Sequence, residues 1–332
     1  KNGSFHDRYF NINSRTAKNT LWFVIFMDRT LPSKVDKNIF LLQSNIDKEI
    51  SPIKIVKILF NNLKYLLKDI TYFNFMISQH RYFAEMVLSI INRNIKTNIS
   101  SILMPYEGQP FQNYILKYFS TQRKVKSTGY IHAPPVPFPS NYIKKKYSPS
   151  KIIVNGKDQM VFFKKLGWRN ITNMPSNRFT IKKKNFAKII FLPIFIKSSE
   201  NIIQSLKLLR DRLAININSF EVKNHPAADT FKENVKLIKK IKEIKNLKNE
   251  KKFKSKNLSI FIGSTGAIIE ALERGNNVIQ ITEEPLFELY SDKIWKSIKS
   301  EQISKNIFSY KLKSQGNLLN LSKKPRSINN FF

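Results

Sequence analysis

Leu258-Ser259-Ile260-Phe261-Ile262-Gly263-Ser264-Thr265-Gly266 leads from an apolar, β-branched run through a small polar turn into Ala267-Ile268-Ile269-Glu270-Ala271-Leu272-Glu273-Arg274-Gly275. Residues 258–262 read as a buried strand, 265–274 as a helix and 277–282 as the next strand. Strands separated by helices in this way imply parallel sheets with right-handed crossovers. The turn is also a ready anion site. The first N–H groups of a helix lack intrahelical partners, and the helix dipole favours negative charge. Ser264 and Thr265 add hydroxyl donors, and Gly263 and Gly266 let a phosphate approach the backbone. An ordinary helix cap by Ser264 or Thr265 accounts for the same residues. Glu270 either reaches a sugar or ribose hydroxyl or is simply solvated.

The same alternation extends in both directions. Residues 21–27, 39–43, 99–105 and 125–131 read as strands, and 53–68, 81–93 and 109–119 as helices. A proline-dense loop, His132-Ala133-Pro134-Pro135-Val136-Pro137-Phe138-Pro139, follows. Strands are then expected at 151–155, 187–193 and 218–223, and helices at 157–165, 199–213 and near 230–248. The expected architecture is α/β: two facing, doubly wound Rossmann-like domains. The first covers residues 1–145, the second 146–310, and 311–332 form a tail. In open sheets of this kind ligands bind beyond the carboxyl ends of the strands, so the residues that end strands carry the functional argument.

Two further strand ends stand out. Asn224-His225-Pro226-Ala227 follows the strand at 218–223. Pro226 stops the strand and sets the chain direction, holding His225 at the carboxyl edge. A histidine there can protonate a leaving phosphate or donate a hydrogen bond to it, or can serve only the turn. Pro105-Tyr106-Glu107-Gly108-Gln109-Pro110 follows the strand at 99–105. Glu107 is placed to take a proton from an acceptor hydroxyl; an exposed glutamate near a helix start is the plainer alternative. His132 ends the neighbouring strand and is a candidate to assist Glu107 or touch the acceptor.

Lys and Arg total 58 against 23 Asp and Glu, a formal charge of +35. Such a balance suits nucleic acid or an anionic membrane surface. Codon bias toward Lys, Asn, Ile and Phe explains it equally, and the charge is spread along the chain. Val235, Ile238, Ile241, Ile244 and Leu247 recur between lysines in 234–256, which reads either as a face for anionic lipid or as a stripe packed on the sheet. There are no cysteines, which excludes disulfides, thiolate catalysis and Cys-ligated zinc. No apolar run reaches the roughly 20 residues of a spanning helix, and no secretory signal is visible. The expected location is the cytoplasm, with a peripheral place at the inner membrane. Asp-x-Asp, G-x-G-x-x-G and the phosphate-binding G-x-x-x-x-G-K-[ST] are absent, and the four histidines are not paired at metal-ligand spacing. Neither a cofactor nor a metal is expected, and no specific nucleic-acid partner.

Glu107-Gly108, His225-Pro226 and Ser264-Thr265 stand in the order of the acidic-Gly, His-Pro and Ser/Thr motifs of bacterial sialyltransferases. The stretch from Tyr106-Glu107-Gly108 through Gly129-Tyr130-Ile131-His132 and Ile152-Ile153-Val154-Asn155 to Asn224-His225-Pro226 and Gly263–Gly266 resembles a family of surface carbohydrate biosynthesis proteins. The resemblance covers about residues 99–285. It implies the GT-B fold, a CMP-activated acidic sugar as donor, a glycan or lipid-linked acceptor, and inversion without a metal. Glu107 would be the general base, His225 would support departure of the CMP phosphate, and Ser264 and Thr265 would bind that phosphate. His132, Asn155, Pro226 and Glu270 become candidate donor or acceptor contacts. Tyr106 stands where the sialyltransferase motif often has a second acidic residue. Similar His-Pro and Ser/Thr pairs occur in CDP-glycerol polymerases and nucleotide-sugar epimerases, which keeps CDP-glycerol, UDP and GDP donors open. A non-catalytic basic protein that binds nucleic acid or membrane is the alternative of another class.

Overall fold

The computed structural model describes residues 3–26, 32–43, 77–95, 98–122, 124–134, 139–181, 185–225, 228, 231–245, 257–283 and 289–332, and, between 56 and 74, residues 56, 57, 59–61, 63, 64, 70 and 74. The described residues within the helix expected at 53–68 are helical. Pro226, the middle of the proline-dense loop and the lysine run from 246 onward lie outside the described residues.

The chain is a mixed α/β protein with parallel sheets. Two short strands, β1 (His6–Asp7) and β2 (Ile12–Asn13), pair antiparallel. Next, β3 (Trp22–Phe26) and β4 (Ile39–Gln43) pair in parallel. Helix α1 (Gln79–Asn94), capped by the Ser78 hydroxyl, precedes β5 (Ser101–Pro105). Helix α2 (Pro110–Gln122) leads to β6 (Lys126–Tyr130), and β7 (Lys151–Val154), α3 (Lys157–Lys165) and β8 (Ile171–Asn173) follow. Strands β5, β6, β7 and β8 form one parallel sheet in that order.

Side chains alternate across this sheet as the pleat requires. Ile102, Met104, Ile152 and Val154 face α1, α2 and α3. Leu103, Tyr130 and Ile153 face Phe10, Trp22, Ile39, Ile328 and Phe331. Both faces are therefore covered, as parallel sheets demand.

After β9 (Ser176–Thr180) the chain builds a second sheet. Its members are β10 (Ile189–Phe191), β11 (Glu221–Lys223), β12 (Leu258–Ile262), β13 (Asn277–Ile281), β14 (Ile298–Ser304) and β15 (Ile307–Leu312). The order is β11-β10-β12-β13-β15-β14, with the first four parallel and the last two antiparallel. Strand β12 is wholly buried. Its Leu258, Ile260 and Ile262 pack with α4 (Ser199–Leu213) and α5 (Lys232–Lys245), and Phe261 faces α6 (Ala267–Glu273). Ile202, Leu206 and Leu209 of α4 recur at steps of four and three, one face of a helix. Leu237, Ile241 and Ile244 of α5 do the same. The apolar stripe of the lysine-rich helix is thus spent on the core; Ile238 packs at its margin and Val235 alone of these is exposed.

Two expectations need correction. The proline-dense loop does not separate two sheets. It connects β6 to β7, which pair in parallel through Thr128–Tyr130 and Lys151–Ile153, so a boundary at 145/146 cuts through one sheet. The change of sheet falls between Asn173 and Ile189. Nor are residues 311–332 a tail. Beyond β15 the chain runs back along the first sheet, where Asn317 O accepts the Asp158 amide and Leu318 O accepts Gln159 Nε2. Asn320 N donates to Asn155 O, and β16 (Leu321–Ser322) pairs with β9. Gly156 admits this crossing: a Cβ there would lie 2.3 Å from Asn317 O. The buried carboxylate of Glu273 in α6 accepts the amides of Gly316, Leu318 and Leu319. Ile328 and Phe331 then close the core around Phe10 and Tyr130.

Candidate active site

Glu107 leaves the carboxyl end of β5 in a tightly held loop. Gln112, buried in the first turn of α2, accepts the amides of Glu107 and Gln109 and donates to Pro105 O at 2.7 Å. Gly108 has φ +69°, and a Cβ there would fall 2.0 Å from Asn141 O. Only glycine fits that position, which is the physical reason for the Glu-Gly pair. Tyr106 is buried, with its hydroxyl bonded to Asn113 Oδ1 and within 3.3 Å of Ser148 Oγ. The Glu107 side chain is 51% exposed.

His132 lies two residues past the adjacent strand β6. Its Nε2 is 3.7 Å from Glu107 Oε1. Burial, followed by the nearby guanidiniums of Arg178 and Arg8, pushes its imidazole down to about 3. The ring is therefore neutral at pH 7, and the contact with Glu107 is a neutral imidazole beside a carboxylate rather than an ion pair. Nδ1 is buried and has no hydrogen-bond partner among the described residues.

The Tyr9 ring lies on His132 at 4.1 Å between centroids. The guanidiniums of Arg8 and Arg178 lie 5.1 and 5.4 Å from the Tyr9 ring centre. Arg178, on β9, also feels the charge of Glu270. Glu270 is buried and pairs with Arg274 at 2.8 Å, while Arg274 donates to Thr180 O. Polar and aromatic neighbours thus run from Glu107 through His132, Tyr9 and Arg178 to Glu270 in the first turn of α6. That helix begins directly after the 263–266 turn. Glu270 is neither solvated nor free for a ligand.

The 263–266 turn lies at the carboxyl end of β12. Gly263 has φ +75°. Gln280 donates to Gly263 O and Ser264 Oγ. The buried Tyr290 hydroxyl exchanges hydrogen bonds with the amide and carbonyl of Thr265, and Thr265 Oγ1 accepts the Ala267 amide. Thr265 therefore serves the turn itself. The exposed Ser264 hydroxyl and the amides of Ser264 and Gly266 are the groups left to meet an anion.

His225 sits two residues past β11 on the same edge. The buried Asn234 of α5 donates to Asn224 Oδ1 and Pro193 O, tying the exits of β11 and β10 together. Strand order reverses at β10: β11 lies on one side of it and β12 on the other. A crevice at such a switch point is where open α/β sheets place ligands. Phe195, just past β10, is 73% exposed and stacks on Phe231 at 5.5 Å. Asn155, by contrast, is wholly buried; its amide donates to Gln159 Oε1, its Nδ2 to Met174 O, and its carbonyl accepts the Asn320 amide.

Sequence reading missed Arg8, Tyr9, Arg178, Gln112, Asn234 and Phe195. An arginine among so many basic residues carries no local signal, and β9 is a polar strand. Among the described residues no three His, Asp or Glu side chains gather as a metal site requires, and no helix is long and apolar enough to cross a membrane. No protein-family model, curated protein or solved structure matches the chain.

Proposed function

We propose that the chain is a glycosyltransferase that moves a sugar from a nucleotide-activated donor, a CMP-linked acidic sugar, to a glycan or lipid-linked acceptor, with inversion and without a metal. In this reading the four-stranded parallel sheet and the six-stranded mixed sheet are the cores of two facing Rossmann-like domains. The donor phosphate lies at the switch point, against the Ser264 hydroxyl and the amides of Ser264 and Gly266, with His225 two strands away to support its departure. Phe195 offers an aromatic face for the base. Glu107 takes the proton of the acceptor hydroxyl.

The observation that carries the reading is the run of neighbours from Glu107 through His132, Tyr9 and Arg178 to Glu270. It supports a single gap shared by the end of β5 and the turn after β12. A neutral His132 suits a role beside the base better than one as a competing acid.

The test is thermal denaturation with CMP, CDP, UDP and GDP, followed by transfer assays with the matching sugars. A nucleotide that binds the native state raises the midpoint by mass action. CMP is expected to give the largest shift. A larger shift with UDP or GDP moves the reading to those donors. No shift with any nucleotide, joined to salt-dependent retention on generic DNA, overturns it in favour of a basic binding protein.

A further inference from the structure

We infer that Arg8, Arg178 and His132, arranged around Tyr9, form a binding site for an oxyanion, a carboxylate or phosphate carried by the ligand that Glu107 faces. Both guanidiniums lie against the Tyr9 ring, and each depresses the pKa of His132. Neither forms an ion pair among the described residues. The contacts of Arg178 are with the rings of Tyr9 and Phe179, and Arg8 donates to the Tyr9 hydroxyl. The nearby carboxylates make their direct bonds elsewhere, Glu270 with Arg274 and Asp7 with the amides of Tyr9 and Phe10, and act on Arg178 and Arg8 through their charge alone.

Two like charges held together, one of them half-buried, are only partly offset by carboxylates that form no ion pair with them, and an anion bonded directly to both guanidiniums completes the balance. The imidazole nitrogen beside them, Nδ1 of His132, is buried and unpartnered among the described residues. A planar guanidinium fork matches an oxyanion in two parallel hydrogen bonds, which a lysine does not. The site adjoins Glu107 through the 3.7 Å contact of His132, so the anion would fix the ligand beside the carboxylate proposed as base. Binding alone tests the assignment, whatever reaction follows.

Titrate the full chain, at constant ionic strength, with inorganic phosphate, with glucuronate and with glucose, reading heat and the thermal midpoint. The expected result is saturable binding of phosphate or glucuronate and none of glucose. The stronger of the two names the source of the anion. Arg178→Gln and Arg8→Gln should each weaken it about tenfold, the loss of one charge-assisted pair. Arg178→Lys should recover only part, and Lys299→Gln, on the far edge strand β14, should change nothing. Arg8 is exposed, so Arg8→Gln reports even where Arg178→Gln fails to fold. Equal binding by wild type, Arg8→Gln and Lys299→Gln would mean diffuse attraction to the net charge and would overturn the site. Absence of saturable binding by the wild type would overturn it too.

Discussion

Nε2 of His132 lies 3.7 Å from Oε1 of Glu107, joining the ends of the neighbouring parallel strands β5 and β6. The carboxylate is half-exposed and the imidazole is buried, so one group meets solvent and the other only its neighbours. This asymmetry separates what each substitution should do.

Glu107→Gln should lower sugar transfer by roughly 10²–10⁴-fold, the usual contribution of a general base. It should leave stability within about 0.5 kcal/mol, as exposed sites do. Transfer assays beside urea unfolding check both. Retained activity removes Glu107 from the mechanism.

His132 should make the protein acid-sensitive. Its folded pKa, about 3, lies below the unfolded value near 6.5. The unfolded state therefore binds more protons, and stability is lost as pH falls through 6.5 toward 3. The loss between pH 7 and pH 5 should be about 2 kcal/mol and should vanish in His132→Gln. Urea unfolding of both proteins at several pH values gives the difference. Parallel pH profiles would show that the imidazole is not held neutral by its surroundings.

Gly108→Ala should cost about 2 kcal/mol or more, because the left-handed backbone and the contact with Asn141 O both oppose a side chain. The loop should shift, and Glu107 with it, so transfer should fall alongside the thermal midpoint. A variant with wild-type stability would mean that the loop adapts freely.

Glu273→Ala should destabilise by roughly 3 kcal/mol or more, since it strands the amides of Gly316, Leu318 and Leu319. Phe331→Ala should cost about 3–5 kcal/mol from the core near Tyr130. Because the C-terminal segment touches both sheets, each variant should speed proteolysis at the first sheet as well as the second. Cleavage confined to the second sheet would argue against that coupling.

The sequence was most legible where apolar residues are dense. The runs at 151–154, 258–262 and 277–281 are strands, and 199–213 is a helix over the range expected. Legibility failed where burial is achieved by polar residues. Ser176 and Asn177 are buried in β9, and Asn177 binds Phe10 O and Arg326 O, yet Ser-Asn-Arg-Phe-Thr has no apolar pattern. The edge strand β14, Ile-Lys-Ser-Glu-Gln-Ile-Ser, is likewise too polar to read. The proline-dense segment marks a break between strands, but the chain between Tyr130 and Lys151 joins neighbouring strands of one sheet rather than two domains. In the site, Glu107 and His132 could be read because they end strands. Arg8 and Arg178 could not, because only the folding of distant segments brings the Arg8-Tyr9 pair to Arg178 and His132.

The return of the C-terminal run to the first sheet bears on synthesis. Phe331 leaves the ribosome about 320 residues after Phe10, yet both pack on Tyr130. Until then Phe10, Trp22 and Ile39 cover that face of the sheet without Ile328 and Phe331. Contacts so distant along the chain favour slow folding. A chain terminated before Ile328 would complete neither this cluster nor its packing on Tyr130.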